Sequence, residues 1–440
     1  MKLKQTMLLL FLILLLFAQC ETTEPPSNGS LSLTLEDISC TEGWLLLRST
    51  NLQIPNSITL TQNGQARLVV SLTTTDTLLY VDSLLPNQSY KFTATATTNN
   101  LQLTTNEVLA QTMDTTSHNF TWQTFTFGER TSTLYDVAII NQNNIWAVGE
   151  IYMNDSLGNP DPHAYNAVHW DGQSWKLKRI YTYSSCNAVD YAPLRAIWAF
   201  SDTDIVVTSG GSIGWFNGKT NKPDCSIRPL LTGSINKLWG SSSNDLYAVG
   251  NGGNIAHFQN GVWKKMESGT TTDLADIYGD GENVFISGYK DFMPTVLLRY
   301  KYGVLTKIIE DDLFGYKRDT ITGWIKSIWL KGSKLFSLTF YDLYRSSVDT
   351  KGEGTAMWKG DINTWGSNAV RGNDVNDIFI TGYNGILWHY NGVSWKRYDE
   401  LLNPNNHYIR LCVTEKLIVI VGFKYLNGIE NYGLITIGKR

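Results

Sequence analysis

The stretch that decides the fold is residues 235–264, which read INKLWGSSSNDLYAVGNGGNIAHFQNGVWK. It contains four short runs of apolar and aromatic residues, separated from one another by Gly, Asn, Asp and Ser. Runs of this kind between turn residues predict four consecutive antiparallel strands. Residues 376–396, NDIFITGYNGILWHYNGVSWK, repeat the last three runs in the same order. A unit of four strands therefore recurs along the chain.

The first strand of each copy is centred on an apolar residue, which we call the anchor of that repeat. Seven anchors can be placed at spacings of about 40 to 60 residues: Val137, Ile197, Leu238, Ile277, Ile328, Val370 and Leu411. Four-stranded repeats of this length are typical of a β-propeller, in which each repeat forms one blade. The sequence therefore predicts an all-β fold with seven blades over residues 116–440.

The last repeat supplies only three strands, and a spare strand at residues 120–125 precedes the first repeat. This spare strand carries Trp122, just as the predicted fourth strands carry Trp175, Trp263 and Trp395. We expect it to complete the last blade, because its pairing there would remove two open sheet edges. Eight blades is the alternative.

Several residues recur at fixed positions of the repeat, and we interpret them as architecture. Each second strand ends in glycine in most copies, and four predicted two-residue hairpins begin at Asp171-Gly172, Asn217-Gly218, Asn260-Gly261 and Asn391-Gly392. Asp245 and Asp377 precede a second strand, where we expect their carboxylates to bond turn amides. His169, His257 and His389 share one position and are expected to be packed, hydrogen-bonded strand residues.

Residues 31–113 form a separate strand-rich segment. Leu84, Pro86 and Tyr90 give the pattern Leu-x-Pro-x-x-x-Tyr at the start of an alternating strand. This pattern resembles the tyrosine corner of fibronectin type III domains, which implies a β-sandwich with Tyr90 bonded to upstream backbone. We expect Trp44 to be a core aromatic residue, and Asn63-Gly64 to form a type I′ hairpin.

The N-terminus carries a targeting signal. Lys2 and Lys4 precede an apolar run over residues 7–17, which is too short to span a bilayer and fits the core of a signal peptide over residues 1–19. Cys20 follows directly, which resembles a bacterial lipoprotein signal and implies lipidation of Cys20, a tether over residues 20–30 and a membrane-anchored, exported protein. Gln19 departs from the small residue usual before that cysteine. Ordinary cleavage nearby is the alternative.

Export would place the remaining cysteines in an oxidising compartment. Cys186 and Cys225 lie in loops leaving consecutive repeats and are the most plausible disulfide pair, with free buried thiols as the alternative. The Cys and His spacings do not suggest a metal site. The net charge of −4 argues against nucleic-acid binding. We find no cofactor motif.

The loops on the two faces of the predicted propeller differ in length, and this difference bears on function. The long loops join the second strand to the third within a blade (B–C loops), or the fourth strand to the next blade (D–A loops). Both kinds emerge on one face, and exposed loops of a rigid scaffold commonly bind ligands. The candidate ligand-binding residues on this face are Tyr165, Tyr183, Tyr191, Tyr289 and Trp324. The alternative is that these rings only pack the loops against the blades.

The repeat resembles the pattern W-G-S-x-x-D-V-Y-A-V-G and H-Y-D-G-x-S-W of exported bacterial propeller proteins. The resemblance implies the propeller fold, and the combination of a lipid anchor, a spacer domain and a propeller head favours a non-catalytic, surface-anchored binding or adhesion protein with a glycan or protein ligand. The alternative is a propeller hydrolase or lyase acting on glycans, which would need a carboxylate pair or an arginine cluster in the central funnel.

Overall fold

The computed structural model describes residues 29–98, 101–185, 188–290, 293–311, 315–357, 366–426 and 430–440. The chain divides into two compact units, with the boundary between Asp114 and Thr115. The predicted signal peptide, the tether up to residue 28 and Cys20 lie outside the described residues. In the part of the chain that the structure describes, no helix has the length and apolar character needed to cross a membrane.

The first unit consists of two antiparallel sheets, with the strand orders β1-β2-β5 and β4-β3-β6-β7, and β8 also pairs with β6. Its strands are β1 (Ser30–Ile38), β2 (Gly43–Thr50), β3 (Asn56–Gln62), β4 (Gln65–Leu72), β5 (Asp76–Val81), β6 (Ser89–Thr98), β7 (Leu101–Thr104) and β8 (Val108–Gln111). Alternate residues of these strands, such as Leu45, Leu47 and Phe92, form one apolar core.

Two expectations for this unit are met and one is wrong. The Tyr90 hydroxyl accepts a hydrogen bond from the backbone N–H of Leu85 at 2.8 Å, as a tyrosine corner requires. Asn63 and Gly64 both have positive φ, 52° and 80°, as a type I′ hairpin requires. Trp44 is not a core residue: the strand alternation sends its neighbours inward, and Trp44 packs on the outer face against Tyr80, with ring centroids 5.6 Å apart.

The second unit begins with β9 (Thr121–Phe127) and continues with blades 1 to 3, each a four-stranded sheet in chain order. Blade 1 comprises β10 (Arg130–Asn141), β11 (Asn144–Tyr152), β12 (Tyr165–Trp170) and β13 (Trp175–Lys178), followed by a hairpin of β14 (Thr182–Ser185) and β15 (Ala188–Asp190). Blade 2 comprises β16 (Ala196–Ala199), β17 (Ile205–Ser209), β18 (Ser212–Phe216) and β19 (Asn221–Asp224). Blade 3 comprises β20 (Ile235–Ser242), β21 (Asp245–Gly250), β22 (Ile255–Gln259) and β23 (Val262–Met266).

Blades 4 to 7 complete the unit. Blade 4 comprises β24 (Leu274–Gly279), β25 (Asn283–Lys290), β26 (Met293–Lys301) and β27 (Val304–Asp311). Blade 5 comprises β28 (Ser327–Lys331), β29 (Lys334–Leu338), β30 (Leu343–Ser347) and β31 (Thr355–Ala356). Blade 6 comprises β32 (Ser367–Asp374), β33 (Asp377–Gly382), β34 (Leu387–Tyr390) and β35 (Trp395–Arg397). Blade 7 comprises β36 (Asn406–Val413), β37 (Leu417–Tyr425) and β38 (Asn431–Lys439), with β9 as its fourth strand. Short 3-10 turns lie at Arg228–Leu230, Asn251–Gly253, Tyr383–Gly385 and Asp399–Leu401.

The first strands of the blades form a closed ring. Each of them contacts the first strand of the next blade, and the series closes where β36 contacts β10. All seven anchors are buried within these strands. The strand β9 pairs with β38 from Phe127 opposite Gly433 to Thr121 opposite Lys439, which is the pairing expected from the sequence. This ring of four-stranded sheets is a β-propeller.

The segment before β9 is fixed to blade 6. The Thr116 N–H donates to the carbonyl of Asn391, and His118 Nδ1 lies 2.8 Å from His389 Nδ1. His389 Nε2 lies 2.9 Å from Asp377 Oδ1, and the guanidinium of Arg440 binds the same carboxylate at 2.6 Å. The two ends of this unit therefore meet on one buried carboxylate.

The three repeated histidines are packed as expected. Each imidazole stacks on the ring one strand inward: His169 on Trp146, His257 on Tyr247 and His389 on Phe379, with centroids 4.0–4.2 Å apart. Each Nε2 also meets the first residue of the second strand, Asn144, Asp245 or Asp377, at 2.7–2.9 Å. The carboxylates of Asp245 and Asp377 therefore bond imidazoles and not, as expected, turn amides.

The predicted two-residue hairpins are found at one of four positions. Asn260 and Gly261 both have positive φ and directly join β22 to β23. At the other three positions the connection has four residues, because the Asp or Asn side chain turns back onto the chain. The Oδ1 atoms of Asp171, Asn217 and Asn391 each accept the N–H groups two and three residues on, at 2.7–3.0 Å. These are Asx turns.

The glycine that ends the second strand is explained by a β-bulge in the first strand. The register between these strands shifts two residues before the anchor in blades 1, 3, 4, 6 and 7. In the same five blades, a Cβ on Gly149, Gly250, Gly288, Gly382 or Gly422 would overlap a carbonyl oxygen of the bulged strand. Blades 2 and 5 have Ser209 and Leu338 at the ends of their second strands, and no such shift. The bulge therefore requires the glycine.

Candidate functional site

The B–C and D–A loops lie on one face of the propeller, because alternate connections of an antiparallel meander emerge on the same side. We call this the rim face. It contains the hairpin β14–β15, the B–C loop over residues 153–164 and the D–A connection that contains Trp324. The long B–C loop expected around Tyr289 in blade 4 is not found as expected: Tyr289 lies within β25 and Thr295 within β26, because these strands extend further than the sequence indicated.

Two candidate tyrosines, Tyr165 and Tyr191, are brought together by Arg179. Its guanidinium lies 3.9 Å from the ring centroid of Tyr165 and 6.0 Å from that of Tyr191. The same guanidinium donates to Asp161, and the backbone N–H of His163 together with Arg179 holds the pKa of Asp161 below its ordinary value. Tyr165 is half-buried beneath the cation, so its ring stabilises the loop.

The ring of Tyr191 extends this cluster toward solvent. Tyr191 stacks on Tyr181 with ring centroids 4.7 Å apart, and a hydrogen bond between the two hydroxyls raises the pKa of Tyr191. Tyr181 is 50% exposed. The candidate Tyr183 lies in the adjacent β14 and is half-buried. The stacked pair Tyr181–Tyr191 therefore presents the accessible aromatic surface of this part of the rim.

The disulfide predicted for this region is described in part. Cys225 is disulfide-bonded, whereas Cys186 lies outside the described residues. The Cys40 thiol donates to the carbonyl of Asp114 at 3.2 Å, and Cys412 is a free cysteine. The pairing of Cys225 with Cys186 remains a prediction.

The other two candidates, Tyr289 and Trp324, are also brought together. Their rings are nearly parallel, at 19°, with centroids 6.2 Å apart, and Trp324 meets the ring of Phe340 edge-on at 5.3 Å. All three are half-buried. This cluster lies where blades 4 and 5 adjoin, away from the Arg179 cluster at blades 1 and 2.

A third aromatic cluster, at blades 6 and 7, was missed by the sequence analysis. The imidazole of His407 stacks on Phe423 at 5.0 Å and meets Tyr383 and Tyr425 edge-on. Burial lowers the pKa of His407, which favours the neutral ring. The exposed residues of this patch are Tyr383, Leu402, Tyr425 and Leu426, at 38–42% exposure. Tyr383 begins the short 3-10 turn Tyr383–Gly385, so loop length did not reveal it.

The second feature missed from the sequence is a buried network of charges on the axis. Asp136 of blade 1 accepts the Ile197 N–H of blade 2 at 3.1 Å and both bonds from Lys237 Nζ of blade 3, at 2.6 and 2.7 Å. Asp276 of blade 4 repeats this pattern. It accepts the Ile328 N–H of blade 5 at 3.0 Å and the Arg371 guanidinium of blade 6 at 2.8 and 3.0 Å.

These charges are arranged as structural pairs. Burial alone would raise the pKa of Asp276, but Arg371 beside it holds that pKa below its ordinary value. Burial lowers the pKa of Lys237, against the attraction of Asp136. A glycosidase needs a carboxyl group of raised pKa as its general acid. Asp276 cannot supply one.

The two residues before each anchor form two layers around the axis. The outer layer, which we call the mouth ring, lies two positions before the anchors and comprises Tyr135, Arg195, Asn236, Ala275, Lys326, Asn368 and Ile409. All seven residues of the mouth ring are half-buried or exposed. The inner layer lies one position before the anchors, where Arg410 is half-buried and the other six are buried. Since each first strand begins at the rim face, the mouth ring lies on that face.

Side chains of the mouth ring join neighbouring blades. Asn236 donates to the carbonyl of Leu274, Lys326 to that of Ser367 and Asn368 to that of Tyr408, at 2.8–3.1 Å. Arg195 lies over the ring of Tyr135, 4.0 Å from its centroid. The Tyr135 hydroxyl donates to Glu150, and burial together with this carboxylate raises the pKa of Tyr135 to about 12.

Comparisons with known proteins identify the class of fold. The chain is similar to the structure of YCF48 bound to D1 peptide, at 12% identity and a TM-score of 0.53, over 72% of this chain and 95% of that one. It is also similar to YCF48 from Cyanidioschyzon merolae, at 12% identity and a TM-score of 0.50, over 72% of this chain and 98% of that one. No protein-family model and no curated protein sequence matches the chain. At this identity the likeness concerns the propeller fold alone.

Proposed function

We propose that this protein is a non-catalytic binding protein whose rim face takes a protein or glycan ligand. The observation that carries the proposal is the contrast within the propeller. The described rim presents partly exposed aromatic clusters at three places. The axial carboxylates of Asp136 and Asp276, in contrast, are bonded to cations in buried ion pairs. Partly exposed rings on rigid loops suit recognition of another molecule.

A protein ligand is the preferred form of this proposal. Leucine side chains accompany the tyrosines of the patch at blades 6 and 7, and mixed apolar and aromatic patches are typical of protein interfaces. The similar propeller YCF48 has been described with a bound D1 peptide, which is compatible with a peptide or protein ligand here. A glycan could instead stack on the exposed Tyr181–Tyr191 pair.

A hydrolase or lyase acting on glycans is the less favoured alternative. It would need an unpaired carboxylate pair or an open arginine cluster on the axis. Asp136 and Asp276 are instead bonded to Lys237 and Arg371 and are almost inaccessible to solvent. This geometry speaks against glycosidase chemistry at the two carboxylates.

We further propose the architecture of an exported lipoprotein: a lipid anchor on Cys20, a tether, a fibronectin type III-like domain and a seven-bladed propeller. The bond from Leu85 to the Tyr90 hydroxyl and the two-sheet arrangement support the domain assignment. The seven four-stranded sheets among the described residues support the blade count. The disulfide of Cys225 supports an oxidising compartment, which is compatible with the export that we propose, to the outer membrane or cell surface.

The rim proposal is tested with the mature chain without its lipidated cysteine, residues 21–440, on a glycan array and a library of surface proteins. We expect Tyr191→Ala and Trp324→Ala to weaken binding of any ligand found, with little change in melting temperature. Tyr302→Ala is the matched control, because Tyr302 is 78% exposed and follows a third strand, at the opposite face. A ligand that is lost in Tyr302→Ala and retained in both rim variants would contradict the proposal.

The lipid anchor is tested separately by metabolic labelling with a fatty-acid analogue. The wild-type chain should be labelled and Cys20→Ser should not be. Equal labelling of both chains would exclude Cys20 as the lipidated residue.

A further inference from the structure

The mouth ring and the layer beneath it carry an excess of positive charge. In the mouth ring the charged side chains are Arg195 and Lys326, both cationic. Adding the axial residues Lys237, Arg371 and Arg410 gives five cations, against the carboxylates of Asp136 and Asp276. Glu150, bonded to Tyr135, is the further acidic side chain that contacts the ring. With it counted, five cations face three carboxylates.

Arg410 differs from the other axial cations in its partners. Lys237 and Arg371 each bind a carboxylate. Among the described residues, Arg410 donates to main-chain carbonyls, those of Ile409 at 3.3 Å and Ala275 at 2.9 Å. A guanidinium offers five N–H donors. Arg410 therefore keeps donor capacity that no carboxylate of the described chain takes up.

Arg410 is also the member of its layer that reaches solvent. The six equivalent residues of the other blades are buried, whereas Arg410 is half-buried. In the mouth ring, Arg195 is exposed and its guanidinium is held over the ring of Tyr135. A cation held in this way loses little conformational freedom when it binds an anion.

Five residues of the mouth ring lie within the register shifts: Tyr135, Asn236, Ala275, Asn368 and Ile409. A bulge re-aims side chains and is over-represented beside functional sites. Arg195 belongs to blade 2, whose first strand has no such shift, and its guanidinium is held instead by the ring of Tyr135.

We propose that the mouth ring binds a carboxylate of an acidic peptide segment, with Arg410 and Arg195 as the recognising cations. Guanidinium groups bind carboxylates through paired, charge-assisted hydrogen bonds, and the two hydrogen bonds of Arg410 described above go to main-chain carbonyls rather than to carboxylates. The inference rests on the proposed binding function and adds the chemical class of the group bound at the centre of the rim face.

The test uses a fluorescent octapeptide of glutamate with an amidated C-terminus and measures its anisotropy with the mature chain at low ionic strength. We expect binding that weakens about tenfold or more in Arg195→Gln and in Arg410→Gln, because hydrogen bonds to charged groups are strong. Arg397→Gln, which changes an exposed arginine of the outer strand β35, is the matched control. The octapeptide of glutamine with the same amidated C-terminus should not bind.

Two further probes identify the source of the carboxylate. The glutamine octapeptide with a free C-terminus should bind if a chain terminus is sufficient, and acetate should compete weakly with either peptide. If sodium acetate or sulfate competes as well as the peptide, the ring is a small-anion site and the peptide assignment is wrong. Equal affinity in wild type and in both ring variants, or an equal loss in Arg397→Gln, would also overturn it.

Failure of this inference can be separated from failure of the rim proposal. A ligand that depends on Tyr191 and Trp324 but binds Arg195→Gln as tightly as wild type overturns the mouth-ring assignment and leaves the rim function standing. Because Arg195 is exposed, its variant remains informative if Arg410→Gln does not fold.

Discussion

The axis and the rim of the propeller use polar and aromatic side chains in opposite ways. On the axis, Asp136 and Asp276 each join three consecutive blades through a backbone N–H and a cation two blades away. On the rim, aromatic rings pack against one another at the edges of neighbouring blades and remain partly exposed. The axis therefore determines how the blades are joined, and the rim is where side chains can change with little cost to the ring.

The largest effect is expected from removing the strand that holds the ring closed. Deletion of residues 21–114 should leave a propeller that unfolds cooperatively. The deletion ends before residue 116, so residues 116–127 and all their contacts with the propeller are kept. Extending the deletion through Phe127 removes β9 and the bonds of Thr116 and His118, which leaves β38 with an open edge. Thermal unfolding monitored by circular dichroism should show a sharp loss of stability in the longer deletion. Identical melting of the two proteins would mean that β9 is dispensable.

The next effect concerns one axial ion pair. Lys237→Met should reduce the free energy of unfolding by about 3–5 kcal/mol, because it leaves the buried carboxylate of Asp136 without its cation. Lys176→Met is the control: Lys176 binds Asp171 at the same 2.6 Å distance but is 56% exposed, so its loss should cost less than about 1 kcal/mol. Denaturant titration measures both. Equal losses would remove the distinction between axis and surface.

A smaller effect is expected from pH. Burial and the neighbouring His389 lower the pKa of His118 from its ordinary 6.5 to about 4. The folded state therefore prefers the neutral imidazole, and this contribution to stability is complete above pH 6.5 and is lost as the pH falls toward 4. His118→Asn should flatten the fall in melting temperature over this range. His163→Asn, at an exposed rim histidine, should leave the slope unchanged.

The smallest effect on stability is expected at the rim. Tyr181→Ala should change the free energy of unfolding by no more than about 0.5 kcal/mol, because half of this side chain is already in solvent. Trp263→Ala, at a tryptophan of the repeat that is 5% exposed, should instead cost about 3–5 kcal/mol through the cavity it leaves. If Tyr181→Ala proves as costly as Trp263→Ala, the stacked pair is a packing element of the fold.

The repeat made the blades predictable, because each anchor is recognised from local alternation of apolar and polar residues. The closing strand was predictable for the same reason, since Trp122 matched a position that the last repeat lacked. The bulges were not predicted, although a signal was visible. The glycine at the end of the second strand is present in the five bulged blades and absent from blades 2 and 5.

The axial network and the third aromatic cluster depend on distances in space that the sequence does not display. Asp136 and Lys237 are 101 positions apart, and only the rotation between consecutive blades brings them together. Tyr383 and Tyr425 belong to different blades and lie at the ends of second strands, Tyr383 directly after β33 and Tyr425 as the last residue of β37, so loop length did not mark them. The candidates Tyr165 and Tyr191, in contrast, were found because their loops are long. Arg179, whose guanidinium contacts both rings, was not found from the sequence.

The strand β9 also determines when the propeller can close. Its partner residues lie 306 to 318 positions further along the chain, from Phe127 opposite Gly433 to Thr121 opposite Lys439. At a synthesis rate of about 5–20 residues per second, these partners emerge roughly 15–60 s after β9 itself. During this interval six blades can form in chain order, each packing on the blade before it. The strand β9 has no partner strand at either edge until β38 is available. Blade 7 is therefore the blade that cannot form until both ends of the propeller unit are available.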